Sequence, residues 1–186
     1  MRKLFKFLFT LALIALVAWF TWDGFLREQI DLYRYPVKYS QIVEKCADEY
    51  DVPCEMIYAV IHTESAFTPD AVSHVGAKGL MQIIDETNEW IAFATGEEVM
   101  AERIFEPEFN IRRGTWLLSY LYKKFGAWEE SLAAYNAGIG RVQGWLSDPK
   151  YSTDGVTLDH IPFSETREYV KRVITASEKY RELYFE

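Results

Sequence analysis

Residues 4–22 of this 186-residue chain read LFKFLFTLALIALVAWFTW, apolar at every position but Lys6, Thr10 and Thr21. Nineteen helical residues at about 1.5 Å each just cross a hydrocarbon layer, so this segment is predicted to leave the folded body and enter a membrane. Arg2, Lys3 and Lys6 precede the core of the run and Asp23 follows it, which puts the N-terminus on the cytoplasmic side and everything after it outside. A cleaved signal peptide is the rival reading. It would need small residues near the end of the run, where Ala18 is followed instead by Trp19, Phe20 and Trp22, an interfacial aromatic belt.

The division that follows is residues 1–22 as tip and transmembrane anchor, 23–35 as a stalk, and 36–186 as one globular body. Charge is split the same way. The whole chain carries −8, and the first 22 residues hold three cations and no acid, so the rest bears −11. An acidic body of this kind argues against nucleic acid as a partner. With 16% aromatic residues it has the bulk for a core.

Beyond the anchor, helical periodicity dominates. Tyr39, Ile42, Val43, Cys46 and Ala47 recur at steps of three and four, and Val52-Pro53 punctuates before a second helix from Cys54 to about Glu64. A loop with Pro69 and Gly76 comes next, after which a helix is expected from Gly79 towards Phe93. Further helices are expected over about 108–125, 128–136 and 164–184, with turns or short helices over 138–144 and a loop over 147–162. No alternating run is long enough for a substantial sheet. The fold class is therefore all-α, behind one N-terminal transmembrane helix.

A carboxylate on an apolar face carries the chemistry. Ile57, Val60 and Ile61 stand seven, four and three residues before Glu64 and share its side of the helix, which must point at the core. Desolvation and the helix C-terminal dipole both disfavour the anion there, so the pKa of Glu64 should rise towards that of a general acid. An exposed Glu at a helix end is the bland alternative.

Four stretches bear on that choice. Glu64-Ser65-Ala66-Phe67, Ser73-His74-Val75-Gly76-Ala77-Lys78-Gly79-Leu80-Met81-Gln82, Ala134-Tyr135-Asn136-Ala137-Gly138 and Ile161-Pro162-Phe163-Ser164-Glu165-Thr166-Arg167-Glu168-Tyr169-Val170 occur in that order. Together they resemble the successive signatures of the soluble-lytic-transglycosylase (SLT) domain family, over about residues 36–184. The resemblance implies a mostly helical, lysozyme-like domain that cleaves the β-1,4 bond between N-acetylmuramic acid (MurNAc) and N-acetylglucosamine (GlcNAc) in peptidoglycan, leaving a 1,6-anhydroMurNAc end. It implies Glu64 as the catalytic acid, and Ser73, Gln82, Tyr135 and Glu165 along the sugar-binding groove. The residues leave other roles open: a turn hydroxyl for Ser73, a helix-start polar group for Gln82, a core tyrosine for Tyr135, and a dipole contact for Glu165 with Ser164 as cap. One departure is Asp85-Glu86-Thr87, where the family often has a proline before its threonine; Asp85 is expected to cap the next helical turn.

The implied partners are glycan strands of the wall, the membrane, and envelope machinery of some kind, with no cofactor. A goose-type-lysozyme-like hydrolase, or a wall-binding scaffold with a weak site, are the alternative functions. His62, His74 and His160 form no His-Glu-x-x-His pattern, and Cys46 with Cys54 lacks a second pair, so no metal is expected. These two cysteines, eight residues apart across a helix–turn–helix and on the oxidising side, form a candidate disulfide; two buried thiols are the alternative.

Overall fold

The computed structural model describes residues 2–186, the side chains of residues 3–5 and 23 excepted; the cation expected at Lys3 and the acid at Asp23 fall among those exceptions. The chain divides into two compact units, Met1–Pro36 and Val37–Glu186.

The first unit is one helix, α1, Arg2–Arg34. Its stretch Lys6–Arg34 is long and apolar enough to cross a membrane, and none of its apolar window is buried. The segment expected as a stalk is thus helical as far as Arg34. Leu26, Arg27, Glu28 and Gln29 are good helix formers, and no proline intervenes before Pro36.

The second unit is built of helices α2 (Ser40–Tyr50), α3 (Cys54–Ser65), α4 (Asp85–Thr95), α5 (Pro107–Phe125), α6 (Trp128–Ala137), α7 (Ile139–Leu146) and α8 (Ser164–Tyr184), with a short 3₁₀ turn at Ala101–Arg103. Among the described residues there is no strand, only isolated bridges Val72–Lys78 and Lys78–Ile83. The central helix is α3. Met56 to Ile61 are all buried, so it is apolar on every side rather than amphipathic, and it packs most extensively on α8. Helix α6 packs on α5, α7 and α8, closing the core around Ile57, Ile61, Leu132, Val173 and Tyr180. Pro107 at the first position of α5 and Gly126 in the left-handed region after it mark a helix with clear start and stop signals.

Two local expectations need correction. Gly79 does not begin a helix. Gly79 (φ 76°) and Gln82 (φ 50°) are left-handed, and Lys78 and Ile83 exchange both backbone hydrogen bonds at 3.0 Å, which closes a tight turn; the helix starts six residues later, at Asp85. Nor does Asp85 cap it. Its carboxylate pairs with Lys78 Nζ at 2.7 Å and ties the turn to α4. Ser164 likewise gives no side-chain cap to α8, whose flanking residue is Phe163.

Cys46 and Cys54 are free thiols, so the expected bridge is not formed. Cys46 is buried in the core-facing side of α2, whereas Cys54, at the start of α3, lines a surface groove with Asp48 and Asp51. Burial pushes both thiols up, Cys46 to about 11, which keeps them protonated and unreactive.

Candidate active site

Glu64 sits in the last turn of α3, and two features hold that helix end. Ser65 Oγ donates to the Leu80 carbonyl at 2.8 Å, joining the end of α3 to the 78–83 turn. Ala66 (φ 49°) and Phe67 (φ 61°) then turn the chain through two consecutive left-handed residues. Non-glycine residues adopt this region only where the surroundings enforce it, and such strain gathers at functional sites. Here Gln82 adds a third case on the facing turn.

The turn is fixed from beneath by Asn110 of α5, which is fully buried. Its Oδ1 accepts from the Met81 amide at 2.7 Å, and its Nδ2 donates to the Lys78 and Ile104 carbonyls at 3.0 and 2.8 Å. Gly79 passes so close that a Cβ there would collide with the Asn110 side chain. Only glycine fits, on both grounds: space and φ.

The arrangement leaves a cleft of about 380 Å³ into which Glu64, Ser73, Gln82, Tyr135 and Glu165 all project. The structure thus brings together all five residues singled out from the sequence. Their bonding shows that several also serve the loop itself. Ser73 Oγ accepts from the Ala77 amide at 3.0 Å, leaving its own hydrogen free to donate. Gln82 Nε2 donates to the Ala71 and Gly79 carbonyls, leaving Oε1 as an acceptor. The Tyr135 hydroxyl donates to the Met81 carbonyl at 2.7 Å and keeps its lone pairs. Glu165 is exposed in the first turn of α8.

The electrostatics single out Glu64. Burial pushes its carboxyl from an ordinary 4.5 to about 7, against the smaller opposing pulls of the Tyr169 hydroxyl and the Arg172 charge. Tyr135 is driven well above its ordinary 10, by burial first and by the charge of Glu64 second. Both phenols beside the acid therefore remain neutral donors or acceptors near pH 7.

Residues the sequence reading gave no role complete the site. Tyr169, buried on α8, faces Glu64 from below; Asn136 lines the cleft and accepts from Thr166 Oγ1 at 2.8 Å, locking α6 to α8 beside Glu165. Both lay inside quoted motifs, so the signal was present. Thr87 and Leu117, also on the cleft wall, carried none. Among the described residues, no group of three or more His, Cys, Asp and Glu side chains is placed to hold a metal ion.

Residues 41–155, which include Glu64, Ser73, Gln82 and Tyr135, match the family model of the transglycosylase SLT domain. The chain belongs to the SLT domain family. The late stretch with Glu165 and Tyr169 falls beyond that match, yet α8 completes the cleft. Relatives of the family agree. The soluble lytic murein transglycosylase of Escherichia coli K12 is 38% identical over 152 residues, 80% of this chain and 24% of the relative. The membrane-bound lytic murein transglycosylase C of Pectobacterium atrosepticum is 32% identical over 168 residues, 77% of this chain and 47% of the relative. The crystal structure of the 70 kDa soluble lytic transglycosylase of E. coli superposes with a TM-score of 0.74 at 33% identity, over 84% of this chain and 26% of that one. The chain thus spans about a quarter to a half of the length of these relatives.

Proposed function

We propose that this SLT-family chain is a membrane-anchored lytic transglycosylase of peptidoglycan, with Glu64 acting first as acid and then as base. The observation that carries the reading is a desolvated carboxyl, raised to about 7, in a cleft where Ser73, Gln82 and Tyr135 are neutral and the other motif carboxylate, Glu165, stands at the exposed rim. Ordinary glycosidases pair two carboxylates, whereas substrate-assisted ones let the substrate supply the second group. Glu64 is protonated near neutral pH and gives its proton to the glycosidic oxygen between MurNAc and GlcNAc. The acetamido oxygen of MurNAc stabilises the cation that forms at C1. The Glu64 carboxylate then takes the proton of the 6-hydroxyl, whose oxygen closes on C1 to give the 1,6-anhydro ring.

The neutral groups suit orientation. The Ser73 hydroxyl can donate to a substrate oxygen, and Gln82 Oε1 can accept from a sugar hydroxyl or amide. Tyr135, held by the Met81 carbonyl, offers only lone pairs towards the cleft. Glu165 contributes a groove contact at the exposed rim. Anchoring is supported by α1, with one apolar stretch of spanning length and the Trp19, Phe20 and Trp22 belt at its end; a single pass places the second unit outside the cytoplasm.

Digestion of purified wall tests the activity, with borohydride reduction to mark reducing ends and mass spectrometry of the fragments. Anhydro ends, one water lighter and inert to borohydride, are the expected result. Glu165 is the feature that favours a lysozyme-like hydrolase instead, and a digest dominated by reducible muramic acid would establish it. Wall binding without release would mark a scaffold.

A further inference from the structure

The cleft wall does not stop at Thr87 and Leu117. Trp90 lies one turn past Thr87 on α4, about 4.5 Å along the axis, and Tyr120 lies one turn past Leu117 on α5; Trp116, beside Leu117, completes a group of three rings. The Trp116 and Tyr120 rings stack with centroids 5.5 Å apart and planes at 16°. Trp90 meets both near edge-on, at 5.5 and 4.9 Å. The rings hold one another rigid, yet all three remain partly exposed.

Their polar atoms are unpaired. Among the described residues, the indole N–H groups of Trp90 and Trp116 and the hydroxyl of Tyr120 have no hydrogen-bond partner, and none of them is a buried atom. The rings brace one another, and their three donors, unpaired and not buried, are left open to a ligand. The neighbouring cations offer no charge to a ligand. Arg112 is paired with Glu49 and Glu97, and Arg113 with Glu97. A cluster of carbon and neutral donors, one helical turn from the Thr87 and Leu117 wall of the cleft, matches a chain of hydroxyl and acetamido oxygens.

We propose that Trp90, Trp116 and Tyr120 form a ridge that holds the glycan strand beyond the cleft, an inference that rests on the lytic reading of Glu64. Ordered donors held in advance lose little entropy on binding, so a bond to a sugar oxygen keeps the modest net gain that remains once it displaces water. The ridge acts on long strands alone, because a fragment that only fills the cleft does not reach it.

The test compares full-length protein and its variants on long glycan strands and on a short muropeptide fragment, with melting temperature measured alongside. Trp90→Ala should lower kcat/KM on long strands about tenfold, through KM with kcat held, and leave the short fragment unchanged. Trp90→Phe keeps a ring in the group and removes the donor, so it should give the same selective loss, about threefold; it carries the test if Trp90→Ala fails to fold. Equal loss on both substrates would make the group a packing device, and no loss on long strands would also overturn the ridge. A wild-type chain that cleaves neither substrate would instead defeat the lytic reading, and the ridge with it.

Discussion

The Tyr169 hydroxyl faces the Glu64 carboxyl inside the core, in a geometry too loose for a well-formed hydrogen bond but close enough to hold the acid below where burial alone would put it. A phenol that stabilises the charged form lowers a carboxyl's pKa, so removing it raises the pKa. Tyr169→Phe should therefore move the alkaline limb of the kcat/KM profile, set near 7 by Glu64, upward by up to about one unit. A pH–rate series on wall fragments checks this, and a limb that stays put or moves down rejects the contact.

Tyr169 also shows where sequence reading ends. A tyrosine within an amphipathic helix is indistinguishable by periodicity from any core aromatic, and what it faces across the core depends on how α8 meets α3. The same periodicity worked for Ile57, Val60 and Ile61, all fully buried, because α3 runs unbroken through the core and Glu64 inherits their side. It failed at Gly79. Leu80, Met81 and Ile83 are buried with helix-like spacing, yet the backbone there is left-handed at Gly79 and Gln82, and the partner that stabilises the turn, Asn110, comes from a helix about thirty residues on. Asn110 near the start of α5 reads as an ordinary surface residue; only the fold makes it a buried hub.

That hub gives the second prediction. Asn110→Ala leaves the Met81 amide and the Ile104 carbonyl without their partner, and strips the Lys78 carbonyl of its second donor while it keeps the Ile83 amide. Unsatisfied buried groups cost about 1 to 3 kcal/mol each, and a loss of about 3 kcal/mol lowers Tm by about 10 °C in a domain of this size. Because the Met81 carbonyl holds Tyr135 at the cleft, activity should fall more than the lost folded fraction explains. Thermal melts beside kcat/KM below the transition test both parts; a melt within a degree or two of wild type refutes the first.

The third concerns α1. Its apolar stretch is long enough to span, its window is unburied, and its end carries Trp19, Phe20 and Trp22 in place of a small-residue cleavage site. The full-length chain should sediment with membranes through salt and alkaline washes and leave only with detergent. N-terminal sequencing of membrane and culture fractions decides the matter: a mature form beginning near Asp23 would mean the segment is cleaved.

Glu64→Gln should separate activity from stability, with opposite signs. The amide keeps the size of the side chain but has no proton to give, so wall cleavage should fall about 100- to 10,000-fold, before the lost base role is counted. Stability should change the other way. The folded chain holds the Glu64 proton to about pH 7, whereas the unfolded chain releases it near 4.5. The native state therefore binds more protons between those values, and wild-type stability declines as pH rises through that window. Glutamine does not titrate. The variant and wild type should keep a constant difference below about pH 4.5, then diverge, with the variant gaining about 3 kcal/mol over wild type above pH 7. Denaturant titrations at acid and alkaline pH measure the divergence. A gap that is constant with pH would mean that Glu64 ionises normally, and the acid would have to be sought elsewhere in the cleft, with Glu165 the first candidate.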